Sequence, residues 1–405
     1  MGKIITDAEK IKEILKKGVE KIYPSPEALE KLLKSGKRIR LYCGFDPTSP
    51  SLHVGNAIQL RKLAQFQKLG HEVIFLIGDF TGMIGDPSDK TAARKKLNRK
   101  EILGNLKNYK KQTSKILDFS GKNPAKVLYN GEWNNKLKFG DLIELASNFT
   151  VQQMLIRDMF QERIKHNKPI YLHEFLYPLA QAYDSVAMDV DLEIGGNDQT
   201  FNMLCGRDLM KILKNKEKFV LTTKLLADPS GKKMGKTEGN MINLDENPDQ
   251  MYGKIMSWPD ELIIPGFELC TDFSLDELAE ISDKIKTGKV NPRDEKAKLA
   301  KAVVVIHYDK KTAEKAGKEF NRIFREKKEP LKIRESKFKE PTNIVTLLFE
   351  DGLVSSKGEA KRLIKQGGVE ENGIRIDDYQ KLIDNRNEDK IIRAGRKFIK
   401  LTKKH

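Results

Sequence analysis

Tyr42-Cys43-Gly44-Phe45-Asp46-Pro47-Thr48-Ser49-Pro50-Ser51-Leu52-His53-Val54-Gly55-Asn56 sits between two apolar runs, Ile39 to Cys43 before it and Glu72 to Gly78 after it. The first run is short, β-rich and bounded by Gly44, which predicts a buried strand. Pro47 and Pro50 hold a turn open, and Ser51 is placed to cap a helix starting near Leu52. Leu60, Leu63, Ala64 and Phe66 give that helix its apolar face, and Gly70 ends it. Strand, loop, helix and strand within about 40 residues make a βαβ unit. Its first loop lies at the carboxyl edge of the sheet, where open α/β sheets take ligands. His53 falls in the first helical turn, where unpaired backbone N–H groups and the helix dipole attract anions, so the loop reads as a phosphate site. A plainer reading, with His53 a cap and Gly55 a packing residue, stands beside it.

The chain has 405 residues, enough for two or three domains, since single cores rarely exceed ~250–300 residues. Hydrophobic residues make up 39%, sufficient for a buried core, and 75 Lys+Arg against 58 Asp+Glu leave a net charge of +17. That excess favours polyanionic partners but by itself establishes only non-specific attraction. Cys43, Cys205 and Cys270 are odd in number, far apart and in no CxxC pair. They suggest neither a disulfide framework nor a zinc site, and they suit a reducing compartment. The first residues lack an apolar signal core, and no run of ~18 apolar residues occurs, so the expectation is a cytoplasmic protein without a membrane span.

Residues 4–36 carry helical periodicity through Ile11, Ile14, Leu15, Val19 and Ile22, then Pro26 starts a helix with Leu29, Leu32 and Leu33 that ends at Gly36. Asp79 to Pro87 is a glycine-rich loop leaving the second strand, in which Asp86 reads as an ordinary turn residue. Residues 94–115 hold nine basic residues and one acid, Glu101, the pattern of a solvated helix face or of a polyanion contact. Val127 to Asn130 reads as a third strand, with Trp133 just beyond. Residues 138–181 look helical and carry more large apolar groups than one helix needs for its own core. Tyr177, Gln181 and Asp184 share one helical face amid apolar neighbours, so this polar stripe is expected to be buried around a polar ligand.

Val190 to Ile194 reads as a strand ended by Gly195-Gly196, and Asp198 is placed like the acids that hold a ribose hydroxyl. A last strand from Phe219 runs into Lys232-Lys233-Met234-Gly235-Lys236-Thr237, where two lysines can close on a triphosphate. From about 240 the pattern is helical: one helix from Pro248, then Leu275–Lys286, Pro292–Tyr308 and Ala313–Arg325. Residues 327–340 are charged and read as a linker. Residues 341–405 show a helical pattern and then short β runs. Lys357, Lys361 and Lys365 recur every four residues as a basic stripe suited to phosphates, and basic residues follow from Lys390 with no acid among them, the last five also reading as a solvated tail.

The His53 and Lys233–Lys236 stretches together resemble the two signature motifs of class I aminoacyl-tRNA synthetases. Asn56 stands where the first motif has its second histidine, and Gly235 where the second has serine. Tyr42 to Thr48, Thr81 to Pro87, Tyr177 to Asp184 and Gly195 to Gln199 narrow the resemblance to tyrosyl-tRNA synthetases, over nearly the whole chain. The resemblance implies an α/β fold: a Rossmann-like parallel-sheet catalytic domain over 1–240 with a dimerisation region inserted at about 138–181. A helical anticodon-recognition domain over 241–335 would follow, then a small α+β RNA-binding module over 341–405, similar to one first seen in a ribosomal small-subunit protein.

It further implies tyrosine–tRNA ligation, with tRNA(Tyr), L-tyrosine and ATP as partners, Mg²⁺ accompanying ATP, no protein-bound metal, and a homodimer. His53, Thr48, Lys90, Arg94, Lys233 and Lys236 would meet charge on the phosphates. Tyr42 and Asp184 would bind the tyrosine hydroxyl, and Asp86, Tyr177, Gln181 and Gln199 would line the rest of the amino-acid site. Gly44, Asp46, Gly55, Asn56, Gly196, Asp198, Met234 and Thr237 would complete the ATP site, and Lys357, Lys361, Arg362 and Lys365 would contact tRNA. Three other readings are a tryptophanyl-tRNA synthetase, a small-molecule nucleotidylyltransferase and a catalytically impaired RNA-binding relative. The first leaves Tyr42 paired with Asp184 unexplained, and the second leaves the helical block and RNA module without a purpose. Retention of Lys233 and Lys236 argues against the third.

Overall fold

Six strands form one sheet: β1 (Val19–Tyr23), β2 (Arg40–Phe45), β3 (Glu72–Ile77), β4 (Lys126–Tyr129), β5 (Leu192–Gly196) and β6 (Phe219–Thr223). They lie in the order β1-β6-β5-β2-β3-β4, with every pairing parallel except that of β1 with β6. This computed structural model describes residues 3–87, 97–227, 241–326, 333–336, 341–384, 389–395 and 397–402. The central strands are covered on both faces, which is why Leu41, Tyr42, Ile74, Phe75, Val220 and Leu221 read as nearly continuous apolar runs. The chain winds outward from β2 to β3 and β4, then returns to the other side of β2 for β5 and β6. The strand order therefore reverses between β2 and β5, the place at whose carboxyl ends open α/β sheets take ligands.

Several elements depart from the sequence expectation. Val19 and Ile22 belong not to a helix but to β1, because Gly18, at φ 66°, stops the Ala8–Lys16 helix and the chain then pairs with the sheet edge. Neither Gly44 nor Gly195 ends its strand; both stay in register, Gly44 opposite Leu76 and Gly195 opposite Thr222. The helix after β2 spans Val54–Lys68 and is capped by His53 rather than Ser51. A helix at Ile263–Cys270 was not foreseen. Its Gly266 allows close approach to the Pro292–His307 helix, since a Cβ there would stand 2.6 Å from Leu299.

The chain divides into two compact units, Met1–Gly317 and Lys318–His405, so the boundary expected near 240 falls within the first of them. In the second unit, the helices Ile344–Glu350 and Lys357–Lys365 share a core with a five-stranded sheet through Ile344, Leu348, Ile364, Val369, Ile392 and Ile399. Residues Arg334–Ser336, read as linker, form a strand parallel to Lys397–Leu401. The short β runs expected here include the hairpin Lys390–Leu401, whose Lys390, Arg393 and Lys400 pair with Glu371, Glu370 and Asp389. Among the described residues no helix is long and apolar enough to cross a membrane.

Candidate active site at the sheet switch point

Asp46 leaves β2 at the point where the strand order reverses. Its Oδ1 accepts from the Thr81 hydroxyl at 2.6 Å and its Oδ2 from the Tyr177 hydroxyl at 2.8 Å. Gly78 makes this possible, because a Cβ there would lie 1.9 Å from Asp46 Oδ1 and 2.4 Å from Thr81 Oγ1. Asp46 keeps some exposed surface, yet its carboxyl group is enclosed by protein. Burial pushes that carboxyl up to about 7, with the Thr81 and Tyr177 bonds pulling the other way.

Asp184, on the Leu176–Met188 helix, lies deeper. It accepts from Trp133 Nε1 at 2.7 Å, Asn134 Nδ2 at 3.0 Å and Asn130 Nδ2 at 3.1 Å. A carboxylate offers about four lone-pair sites, so these three leave one acceptor position. Burial drives this carboxyl to about 8, against the pull of the three donors. Asn130 Nδ2 also approaches Thr81 Oγ1 at 3.0 Å, so Asp184, Asn130, Thr81, Asp46 and Tyr177 form one connected chain. Tyr42, fully buried, shares a 2.9 Å hydrogen bond with Ser185 Oγ and packs in the same cluster as Trp133. Burial and the nearby Glu193 and Asp184 charges hold its phenol well above the ordinary range.

The stripe Tyr177, Gln181 and Asp184 is thus turned inward, but its members reach different partners. Gln181 Nε2 donates to Glu193 Oε1 at 3.0 Å. Asp86 accepts from Gln199 Nε2 at 2.6 Å, and the guanidinium of buried Arg157 lies 4.0 Å away over the rings of Phe160 and Phe201. At the start of the Val54–Lys68 helix, the backbone N–H of His53 donates to Asn56 Oδ1 at 3.0 Å, so Asn56 closes the helix start. A Cβ on Gly55 would come within 2.9 Å of the His53 ring, and one on Gly196 within 2.5 Å of Asp198 Oδ1. Thr48 follows directly, its N–H bonded to the Asp46 carbonyl at 2.8 Å. Gly44 has room for a side chain, with Leu76 3.8 Å from its virtual Cβ.

Two segments brace this loop. Tyr109 OH donates to the Ser49 carbonyl, Asn105 Nδ2 to that of Pro47, and Gln112 Oε1 accepts the Leu52 N–H, each at 2.8 Å. The basic run therefore uses its neutral members for the loop and leaves Lys100, Lys107, Lys110 and Lys111 exposed. Val54 N–H also donates to the Ile242 carbonyl and Leu244 N–H to that of Leu52, so the chain just after the lysine motif is stitched to the His53 helix start. Lys90, Arg94, Lys233, Met234, Lys236 and Thr237 lie outside the described residues. In the second unit, Lys357, Lys361, Arg362 and Lys365 are all exposed on one helix, with Lys361 Nζ 5.3 Å from the Tyr379 ring centre.

Asn130, Asn134, Thr81, Gly78, Glu193, Lys218 and Arg157 were not singled out from the sequence. The position of Asn130 at a strand's carboxyl end was the available signal.

The capped helix start at His53 and the buried carboxyl groups of Asp46 and Asp184 thus lie where open α/β sheets take ligands. A family profile described as tRNA synthetases class I (W and Y) matches residues 34–325, and one described as the tyrosine–tRNA ligase SYY-like C-terminal domain matches 327–401. The chain belongs to the class I aminoacyl-tRNA synthetases. Within them it falls in the tyrosine–tRNA ligase family. It is 44% identical over 404 residues to the tyrosine–tRNA ligase of Carboxydothermus hydrogenoformans, covering 96% of this chain and 97% of that protein. It is 42% identical to that of Thermotoga maritima, covering 98% of both. The fold is shared with a tyrosyl-tRNA synthetase from Archaeoglobus fulgidus complexed with L-tyrosine (TM-score 0.61, 21% identity, 77% of this chain and 100% of that one). It is shared also with a truncated mitochondrial tyrosyl-tRNA synthetase from Coccidioides posadasii (TM-score 0.62, 22% identity, 76% and 91%).

Proposed function

We propose that this chain activates L-tyrosine with ATP and transfers it to the terminal adenosine of tRNA(Tyr). In the first step a tyrosine carboxylate oxygen attacks the α-phosphorus and pyrophosphate leaves. In the second a ribose hydroxyl attacks the tyrosyl carbonyl and AMP leaves. The substrate supplies the nucleophile, so the protein contributes positioning and charge stabilisation. The observation that carries tyrosine as substrate is the Asp184 carboxylate, with three donors in place and one acceptor position left, beside Tyr42. A phenol O–H can fill that position; a bare ring cannot.

Asp86, Gln181 and Gln199 serve the amino-acid backbone, with Tyr177 acting on it through Asp46. His53, Thr48, Lys90, Arg94, Lys233 and Lys236 meet the phosphates, and Mg²⁺ arrives with ATP as part of that substrate. Gly196 and Asp198 serve the ribose, and Asn56 contributes by fixing the cap. The helices between 241 and 335 serve anticodon recognition, and the Lys357–Lys365 stripe grips tRNA phosphates. Phe139, Ile143, Val151, Ile156 and Leu172 remain exposed along the 138–181 region, which supports a homodimer through that face. A role in translation is consistent with a cytoplasmic enzyme. Amino-acid-dependent ATP–pyrophosphate exchange across the amino acids is the test. Exchange with tyrosine alone is expected; exchange with tryptophan alone would overturn the assignment, and none at all would indicate an RNA-binding relative.

A further inference from the structure

Behind the amino-acid site lies an ion pair that the reaction does not use. Lys218, fully buried at the start of β6, donates to Glu193 Oε2 on β5 and to the Met203 carbonyl at 3.1 Å. Gly206 makes space for it, since a Cβ there would lie 2.6 Å from Lys218 Nζ and 2.9 Å from Ser185 Oγ. A buried pair of this kind seldom adds stability over an apolar pair of equal volume, so a local purpose is worth seeking.

The other oxygen of Glu193 supplies one. Oε1 accepts from Gln181 Nε2 at 3.0 Å. A carboxylate has no proton to give, so the Gln181 amide can meet it only with its NH₂ side. Gln181 Oε1 is thereby turned the other way, buried and without a hydrogen-bond partner among the described residues. A buried acceptor is unfavourable unless a donor arrives. A substrate ammonium is such a donor. We propose that Glu193 and Lys218 are positioning residues that lock the Gln181 amide with its carbonyl oxygen toward the α-ammonium of the bound amino acid. This rests on the reading above that Gln181 serves the amino-acid backbone.

Lys218 matters because a buried carboxylate stripped of its cation neutralises by taking up a proton. The resulting acid can donate to Gln181 Oε1 and turn the amide, presenting NH₂ to the ammonium. Glu193→Gln does the same by another route: its oxygen stays with Lys218 and its NH₂ faces Gln181. Replacing both residues, as Glu193→Gln with Lys218→Met, removes the charge and leaves a carboxamide oxygen free to accept from Gln181 again.

The test is calorimetric affinity of the full chain for tyrosine and for 3-(4-hydroxyphenyl)propanoate, which lacks the ammonium. Each single variant should lose about tenfold or more of its preference for tyrosine, with propanoate affinity unchanged. The double variant should recover most of that preference, even where one single variant folds poorly. Equal loss for both ligands, an unchanged preference, or a double variant no better than the singles would overturn the proposal. Gln181→Met, measured alongside, separates the underlying reading: a retained preference there would mean that Gln181 never read the ammonium.

Discussion

Trp133→Phe removes one N–H from Asp184 while keeping an aromatic ring against Tyr42. The lost bond is 2.7 Å long and reaches a buried carboxyl group. A hydrogen bond to a charged group is worth about 1.5–3 kcal/mol, which corresponds to roughly 1–2 pKa units. Asp184 stands at about 8 with the bond in place, so the variant's carboxyl should titrate one to two units higher, taking about one unit per 1.36 kcal/mol. Only the ionised form offers its free lone pair without a competing proton. Discrimination of tyrosine over phenylalanine should therefore rise with pH through about 8 in the parent chain. In the variant that limb should move to higher pH, and at pH near 7.5 the ratio should fall roughly 10- to 100-fold.

The assay is kcat/KM for both amino acids in pyrophosphate exchange from pH 6 to 9. Their ratio cancels the titration of the shared ammonium group. The stability sign is opposite. A carboxyl raised above its ordinary value holds an extra proton when folded, so its contribution is fullest in acid and is lost as pH rises toward about 8. Equal losses for tyrosine and phenylalanine, or a limb that does not move, would refute the reasoning.

Three further outcomes are expected. Gly78→Ala forces a methyl group onto Asp46 Oδ1 and should lower the adenylation rate by about 100-fold, read as single-turnover adenylate formation. Ending the chain after residue 326 should leave tyrosine-dependent exchange largely intact while weakening tRNA charging. In the intact chain tRNA affinity should fall steeply with salt, as filter binding at several salt concentrations would show. Leu172→Glu, on a side chain 79% exposed, should shift a dimer toward monomer in light scattering without lowering the melting temperature much.

The βαβ unit, the inward polar stripe and the basic helix were legible because each rests on a local period or a motif of fixed spacing. Residues whose importance comes from another strand were not. Val19 and Ile22 satisfy a helical period as well as a strand's, and only the edge of β6 decides between them. Asn130 and Asn134 carry no motif of their own, and only the fold brings them to Asp184, 54 and 50 positions away. Lys218 looks like any surface lysine between Glu217 and Phe219, and its burial depends on Glu193 and on the space left by Gly206. Asn56 is the converse case. It reads as a departure from a motif, and its carboxamide performs a helix cap that the one-dimensional pattern does not display.

The chain of hydrogen bonds from Asp184 through Asn130, Thr81 and Asp46 to Tyr177 has a consequence for redesign. Groups in one polar network do not contribute independently, and coupling energies of about 0.5–3 kcal/mol between members are ordinary. An Asp184 replacement meant to admit a different side chain would also release Asn130, and with it Thr81 and the Asp46 carboxylate. Under the proposed function, altered substrate preference and slowed adenylation should then arise together. Variants of this pocket should gain new amino acids only when Asn130 or Thr81 is changed in the same round of selection.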